Sequence, residues 1–221
     1  MAGMIARIPL LVPSVALAAF LTLTALVTAD WAPVDRFDVA MSDDMRRYGH
    51  EHLGLIDVLR VVTDVAATLP FVAAGIAATA FLLATGRRRP AYLCAWVTVL
   101  IPVLWGAMHW LLTRPRPQDG FVLVDSNGFP SGHTSHATAA GLVAVLLLWP
   151  HLARAGRIAV VALAVVFAVF IGATRVILLA HWPTDVLGGW LLAFAVVPLV
   201  ARALSAPHGP FPADQGHMVV V

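Results

Sequence analysis

The feature that most constrains this chain is a series of long apolar runs, several of them close to 20 residues long. An α-helix needs about 20 mainly apolar residues to cross a hydrocarbon core roughly 30 Å thick. Charged residues make up only 12% of the chain, whereas soluble domains carry about 25%. The sequence therefore predicts an all-α integral membrane protein and excludes an ordinary soluble domain.

The apolar runs predict a bundle of six transmembrane helices. Their approximate bounds are residues 8–29, 65–85, 91–112, 133–152, 158–179 and 185–204. The first run also resembles a signal peptide, because Val27 and Ala29 precede Asp30 as in a cleavage site. Its apolar core of about 21 residues is longer than the ~7–15 residues of a signal sequence. We therefore expect a retained helix.

The order of these runs predicts three regions. Residues 1–54 are expected to hold the first span and an extracytoplasmic amphipathic segment. Residues 55–204 are expected to form the core, with five spans and all the polar motifs. Residues 205–221 are rich in Pro and Gly and are expected to be a disordered tail.

The segment between the first two spans predicts an amphipathic helix on the outer membrane surface. Phe37, Met41, Met45 and Tyr48 recur at helical spacing among charged residues, which is the pattern of such a helix. The simpler interpretation is a packing helix that caps the bundle. The alternative is a lid or a guide for a lipid substrate.

Arginine placement predicts the orientation, because short cytoplasmic loops are enriched in positive charge. With six crossings, half of the 14 basic residues, all of them arginines, fall on the side of both termini: Arg7, Arg87, Arg88, Arg89, Arg154, Arg157 and Arg202. The other half fall on the opposite side, so the total count does not decide. The three arginines in the short loop at residues 87–89 favour cytoplasmic termini, in a multi-pass protein of the cell membrane.

Three polar clusters lie at predicted span ends, where charged residues are costly and commonly functional. They are "HWLLTRPRP" at residues 109–117, "PSGHTSH" at 130–136 and "TRVILLAHWPTD" at 174–185. In a six-span chain the loops after the third and fifth spans face the same side. We therefore expect the three clusters to meet in one pocket on the extracytoplasmic side.

The polar clusters contain groups suited to binding a phosphoryl group. Ser131 and Gly132 begin a predicted helix, whose free N–H groups and dipole favour an anion such as phosphate. Arg116 and Arg175 offer forked donors that match phosphoryl oxygens. The single cysteine, Cys94, excludes an intramolecular disulfide and a cluster of thiolate metal ligands.

Two histidines and a carboxylate supply groups for phosphoryl transfer. Asp185 lies four residues after His181, so that it can hold one imidazole nitrogen as N–H and leave the other free to attack. His133 is a second imidazole, available to protonate a leaving oxygen. Singly, such residues are more often helix caps or polar contacts. Together they favour phosphoryl transfer with a histidine nucleophile.

These clusters resemble the motifs of the type 2 phosphatidic acid phosphatase family, whose superfamily includes the vanadium haloperoxidases. The family motifs are Lys-x6-Arg-Pro, Pro-Ser-Gly-His and Ser-Arg-x5-His-x3-Asp. The second motif is intact here at residues 130–133. The first and third differ only at their first position and read His109-x6-Arg116-Pro117 and Thr174-Arg175-x5-His181-x3-Asp185.

The resemblance implies metal-independent, cofactor-free hydrolysis of a lipid phosphate monoester or diphosphate. It implies that His181 attacks phosphorus to form a phosphohistidine, that Asp185 orients His181 and that His133 protonates the leaving group. The residues that it implies for holding the phosphoryl oxygens are His109, Arg116, Ser131, Gly132 and Arg175. Expected partners are membrane lipids and a substrate such as phosphatidic acid, phosphatidylglycerol phosphate or a polyprenyl diphosphate. No nucleic acid is expected.

His109 is the main departure from the family pattern. A lysine is charged at neutral pH, whereas an unperturbed imidazole titrates near ~6.5. We expect a bound phosphate dianion to favour the charged imidazole, so that His109 still donates to phosphate. Arg114 is expected to be an auxiliary contact and His136 a packed polar residue.

Two other functions fit part of this pattern. Vanadate-dependent halide oxidation uses similar residues, but the predicted spans argue against it. The alternative from a different class is a six-span transporter or lipid-binding protein that keeps the pocket but has lost turnover.

Overall fold

The computed structural model of the protein describes residues 9–124 and 126–205, and these form an all-helical bundle. Its eight α-helices are α1 Leu11–Thr28, α2 Ala32–Glu51, α3 Leu53–Thr63, α4 Thr68–Ala84, α5 Arg88–Leu111, α6 Gly132–Leu148, α7 Arg154–Ile177 and α8 Pro183–Ala203. Short 3-10 turns occupy Asp64–Ala66 and Trp149–His151. No strand occurs within these two described ranges, so the all-α prediction is confirmed. The predicted tail lies outside the described residues except for Ser205, and Arg7 lies outside them too.

Five helical stretches in the described part of the chain are long and apolar enough to cross a membrane. They are α1, the continuous stretch Leu53–Ala84, α5, α7 and α8. The sequence placed the start of the second span at residue 65, whereas this helical stretch begins at Leu53. The remaining predicted span corresponds to α6, whose 17 residues extend only about 26 Å. The chain then enters the 3-10 turn Trp149–His151, which contains a proline.

Helix α8 lies at the centre of the bundle and packs against α1, α5 and α6. Its Ala193 and Val197 are buried against Val97 and Ile101 of α5 and Ala139 of α6. Small side chains on α6 and α8 allow this close approach, because backbones separated by alanine and glycine can pack tightly. This packing fixes the position of α8, and therefore also the position of its first residues at the polar end of the bundle.

Helix α2 forms where the sequence predicts the amphipathic segment. Its polar and small residues Asp38, Ser42 and Gly49 are the buried ones. Phe37, at 51% exposure, and Tyr48, at 39%, face away from the bundle. The helix therefore packs on the bundle through a polar face, which the apolar spacing alone does not predict.

Candidate active site

The three polar clusters meet at one end of the bundle. The loop between α5 and α6 contacts the loop between α7 and α8, where Phe121 N donates to Leu178 O at 3.0 Å. The start of α6 is tied to the first turn of α8, because Ser131 N donates to Asp185 O at 2.9 Å. Residues from all three clusters therefore lie on neighbouring elements, as the sequence predicted from the alternation of spans.

His181 and Asp185 are buried beside each other where α8 begins. His181 is 2% exposed and Asp185 is 0% exposed, and His181 Nδ1 lies 3.4 Å from Asp185 Oδ2. The same carboxylate oxygen accepts a hydrogen bond from Trp182 N at 2.9 Å, so it also caps α8. This cap fixes the carboxylate on the Nδ1 side of the imidazole.

Arg116 lies on the other side of His181. Its Nη1 is 3.0 Å from His181 Nε2 and also donates to Ala180 O. Its Nε donates to Ser126 O at 2.8 Å, and its Nη2 donates to Ser126 Oγ and Asn127 O, both at 3.0 Å. All five N–H groups of the guanidinium therefore have protein partners.

The contact with Arg116 fixes the protonation of His181. A guanidinium can only donate, so Nε2 carries the lone pair and the N–H lies on Nδ1, towards Asp185. Burial lowers the pKa of His181 well below its usual 6.5, and the charges of Arg116 and Arg175 lower it further. The imidazole is therefore neutral near pH 7, with a lone pair on Nε2, which is the form that a nucleophile requires.

The first residues of α6 form a second wall of the site. Ser131 is fully buried and its Oγ accepts from Thr134 Oγ1 at 3.0 Å, while Gly132 is the first helical residue. The first N–H groups of a helix lack intrahelical acceptors and favour an anion. A Cβ atom at Gly132 would lie 2.8 Å from Trp105 Nε1. The glycine therefore lets the indole N–H approach the start of α6.

Arg175 of α7 and His133 of α6 both lie near the end of α3 and the 3-10 turn that follows it. Arg175 is 4% exposed and its Nη1 donates to Thr63 Oγ1 at 3.3 Å. His133 Nε2 is 3.9 Å from Asp64 Oδ1. Arg175 Nε and His133 Nε2 are buried without a hydrogen-bond partner, so each has capacity for another group.

His109 lies on the last turn of α5, with its ring tilted by 48° against that of Trp105 and the ring centroids 4.5 Å apart. Its Nδ1 is 3.0 Å from Trp105 O, and its own carbonyl accepts from Asn127 Nδ2 at 2.7 Å. His109 Nε2 and Trp105 Nε1 are both buried without a partner. The sequence did not single out Trp105, although its position one helical turn before His109 was a usable signal.

The sequence predicted Arg114 to be an auxiliary contact, but the structure places it in a buried network of charged residues. It is 9% exposed, and its guanidinium bridges two buried carboxylates, those of Asp38 and Asp185. Burial raises the pKa of Asp38, while hydrogen bonds from Thr184 and the charge of Arg114 act in the opposite direction. The sequence did not predict a role for Asp38 at the site, because this residue lies far from the motifs along the chain.

His136 is a polar residue near the site that the sequence predicts to be packed. His136 is 1% exposed, its Nδ1 is 3.1 Å from Ala66 O and its ring stacks on Phe71, as expected for a packed polar residue. Within residues 9–124 and 126–205, no group of three or more His, Cys, Asp or Glu side chains is arranged to hold a metal ion.

The segment that contains the three motifs is similar to known proteins. The family model described as the PAP2 superfamily matches residues 108–207, a segment that contains the residues of all three motifs. Phosphatidylglycerophosphatase B of Escherichia coli K12 is 34% identical over 114 residues, which are 50% of this chain and 39% of that protein. The protein of the same name from Shigella flexneri matches equally. The aligned segment thus spans well under half the length of these relatives.

A solved structure extends the likeness to most of the bundle. It is the crystal structure of a transmembrane PAP2-type phosphatidylglycerolphosphate phosphatase from Bacillus subtilis, with a TM-score of 0.71 and 27% identity. The match covers 85% of this chain and 93% of that one. Sequence motifs, family match and fold agree: residues 108–207 match the model of the PAP2 superfamily, and the bundle is similar to that of a PAP2-type phosphatase.

Proposed function

We propose that the protein is a membrane phosphatase that hydrolyses a lipid phosphomonoester or diphosphate through a phosphohistidine on His181. The observation that carries this proposal is the position of the buried His181, whose Nδ1 lies 3.4 Å from Asp185 Oδ2 and whose Nε2 lies 3.0 Å from Arg116 Nη1. A buried imidazole whose lone pair faces cationic groups is poised to attack an anionic phosphoryl group. Metal ions have no part in the proposed reaction.

In the first step, His181 Nε2 attacks phosphorus while the bond from phosphorus to the lipid or leaving phosphate oxygen breaks. Asp185 stabilises the positive charge that develops on the imidazole. The bound phosphate dianion favours the protonated form of His133, and this residue, whose Nε2 has no partner in the protein, gives its proton to the leaving oxygen. In the second step, His133 takes a proton from water, which attacks phosphorus and releases phosphate and neutral His181.

Binding of the phosphoryl group must release the nucleophile from Arg116. The hydrogen that Arg116 Nη1 directs at His181 Nε2 has to pass to a phosphoryl oxygen before the lone pair can attack. Burial lowers the pKa of Arg116, but the group remains a cation at neutral pH. Its positive charge therefore stabilises the charge that develops on the transferred group.

The other proposed phosphate donors lie around His181 Nε2. Arg175 would donate to a phosphoryl oxygen through Nε, which has no partner in the protein. Ser131 and Gly132, at the start of α6, would donate through backbone N–H groups. We include His109, through Nε2, and add Trp105, because its buried indole N–H lacks a partner beside Gly132. Together they replace the flexible ammonium group of the family lysine with two fixed ring donors.

The relatives supply the first substrate to test. The E. coli and B. subtilis proteins are named as phosphatases of phosphatidylglycerol phosphate, so this lipid leads the panel. Phosphatidic acid and a polyprenyl diphosphate belong beside it, because the proposed site recognises the phosphoryl group they share.

For the membrane arrangement, we propose six spans, with α6 as the sixth and residues 55–204 as the core. Helix α6 and the following 3-10 turn have 17 and 3 residues, which together reach the length that a ~30 Å core requires.

The three arginines at residues 87–89 support an orientation with cytoplasmic termini and an extracytoplasmic site, with α2 on the outer surface. In right-side-out vesicles of a Cys94→Ser protein, an impermeant maleimide should label Leu123→Cys but not Thr85→Cys; the reverse would overturn this orientation.

The function is tested by phosphate release from purified protein in detergent with the lipid panel and EDTA. We expect release in EDTA, loss of at least 1,000-fold in His181→Ala, as for other covalent nucleophiles, and normal release in His151→Ala. His151 is an exposed histidine on the turn after α6, which makes it a matched control. Full turnover in His181→Ala would remove the proposed nucleophile. No release from any substrate would instead favour a lipid-binding or transport protein.

A further inference from the structure

Asp38 is a buried carboxylate on a helix that is otherwise mostly exposed. It is 2% exposed, and both of its oxygens accept hydrogen bonds from outside α2. Oδ2 accepts from Arg114 Nη2 and from Thr184 Oγ1, both at 2.6 Å. Oδ1 accepts from Thr184 N at 3.1 Å. Burying a carboxylate is costly unless it is paired in this way, so its position calls for a physical reason.

These contacts lead directly to the candidate nucleophile. Arg114 Nη1 donates to Asp185 Oδ1 and to Thr184 Oγ1 at 3.0 Å. The other oxygen of Asp185 lies 3.4 Å from His181 Nδ1. A continuous series of polar contacts therefore runs from α2, through Arg114 and Thr184, to the imidazole.

We propose that Asp38 is a positioning residue for the reaction, because it holds Arg114 and Thr184, which in turn hold Asp185 against His181. The inference rests on the proposed phosphatase function. It assigns α2 a role in turnover, in addition to its role in covering the bundle.

The geometry gives Asp38 two effects on Asp185. The first is orientation: a guanidinium held by carboxylates on two sides has a fixed plane, whereas one held only by Asp185 keeps the freedom of its flexible stem. The second is charge. Arg114 shares its single positive charge between two carboxylates, so Asp185 keeps more of its negative charge available for the imidazolium of the phosphohistidine step.

A structural role alone would have a different signature. If the network only anchored α2, breaking it would lower stability and leave the turnover of the folded fraction unchanged. If it positions Asp185, breaking it lowers kcat, while KM changes little because no phosphate-binding group is altered.

The test measures kcat and KM for phosphate release, together with the thermal unfolding midpoint, in four variants. Asp38→Asn keeps an oxygen for Thr184 N but removes the charge, and Thr184→Val removes only the hydroxyl. Thr184→Ser keeps the hydroxyl and is the conservative rescue. Asp44→Asn is the matched control, because Asp44 is an exposed aspartate of α2 that pairs with Arg47 at the surface.

We expect kcat to fall at least 10-fold in Asp38→Asn and at least 3-fold in Thr184→Val, with KM within about 2-fold of the starting value. Thr184→Ser and Asp44→Asn should keep at least half of the original kcat. A normal kcat in folded Asp38→Asn and Thr184→Val overturns the inference. Failure of both to fold also overturns it, because the network would then serve only the fold. An inactive unsubstituted protein would instead contradict the proposed function, so the two failures are distinguishable.

Discussion

At the scale of single residues, His109 is the proposed phosphate donor whose charge depends most on pH in the neutral range. Its ring is held by Trp105, which leaves Nε2 as the one nitrogen available to a ligand. An imidazole loses its positive charge several pH units before an ammonium group does, since their ordinary pKa values are ~6.5 and ~10.4. A lysine at this position would stay charged across the neutral range.

We therefore predict that His109→Lys extends activity towards higher pH. In the unsubstituted protein the His109 donor is lost as pH rises, so kcat/KM should begin to fall at lower pH than in the variant. The measurement is a pair of pH profiles of kcat/KM with the same lipid phosphate. Identical alkaline limbs would show that His109 does not act as a titrating phosphate donor.

Trp105 allows a second test at this scale. Trp105→Phe keeps a ring against His109 but removes the indole N–H, and a hydrogen bond to a charged group contributes about 1.5–3 kcal/mol. We expect kcat/KM to fall roughly 10- to 100-fold. Trp110→Phe is the control, because Trp110 is 85% exposed on the same helix. Equal kinetics for the two variants would exclude the indole as a phosphate donor.

At the scale of helices, the apolar pattern of the sequence identified most elements but not their buried polar faces. The stripe that includes Phe37 and Tyr48 has the helical period, and helix α2 covers this segment. It did not predict that Asp38 and Ser42 would be the buried residues, because burial of polar groups depends on partners from distant elements. The helical stretch before residue 65 was not predicted for a related reason: charged Asp57 and Arg60 interrupt the apolar run, yet they pair with each other within α3.

Helices α4 and α5 approach closely enough for one glycine to matter. A Cβ at Gly75 would overlap the Thr98 side chain, with Thr98 Cγ2 only 2.8 Å away. Overpacking of this kind costs about 1–3 kcal/mol, so Gly75→Ala should lower the thermal unfolding midpoint in detergent. Gly54→Ala is the control, because a Cβ there meets nothing within 4 Å. An unchanged or raised midpoint in Gly75→Ala would contradict the packing of these helices.

At the scale of the whole molecule, the alternation of spans explains why the three motifs could be assigned to one end from sequence. The loops before α6 and before α8 must face the same side if each helix crosses once, and they do contact each other. The supporting contacts could not be found in this way. Asp38 bonds to Thr184 across 146 positions, and Arg175 bonds to Thr63 across 112. No local spacing encodes such pairs, whereas the motif residues lie within short segments of recognisable pattern.

The most direct test of the central claim is to trap the covalent intermediate on His181. Protein mixed with a substrate labelled in the transferred phosphoryl group is quenched in alkali, which preserves the P–N bond of phosphohistidine, and the labelled peptide is identified by mass spectrometry. We predict label on His181, formed in EDTA and absent in His181→Ala. Label on another residue, or rapid turnover with no label on His181 at any time during the reaction, would contradict the mechanism.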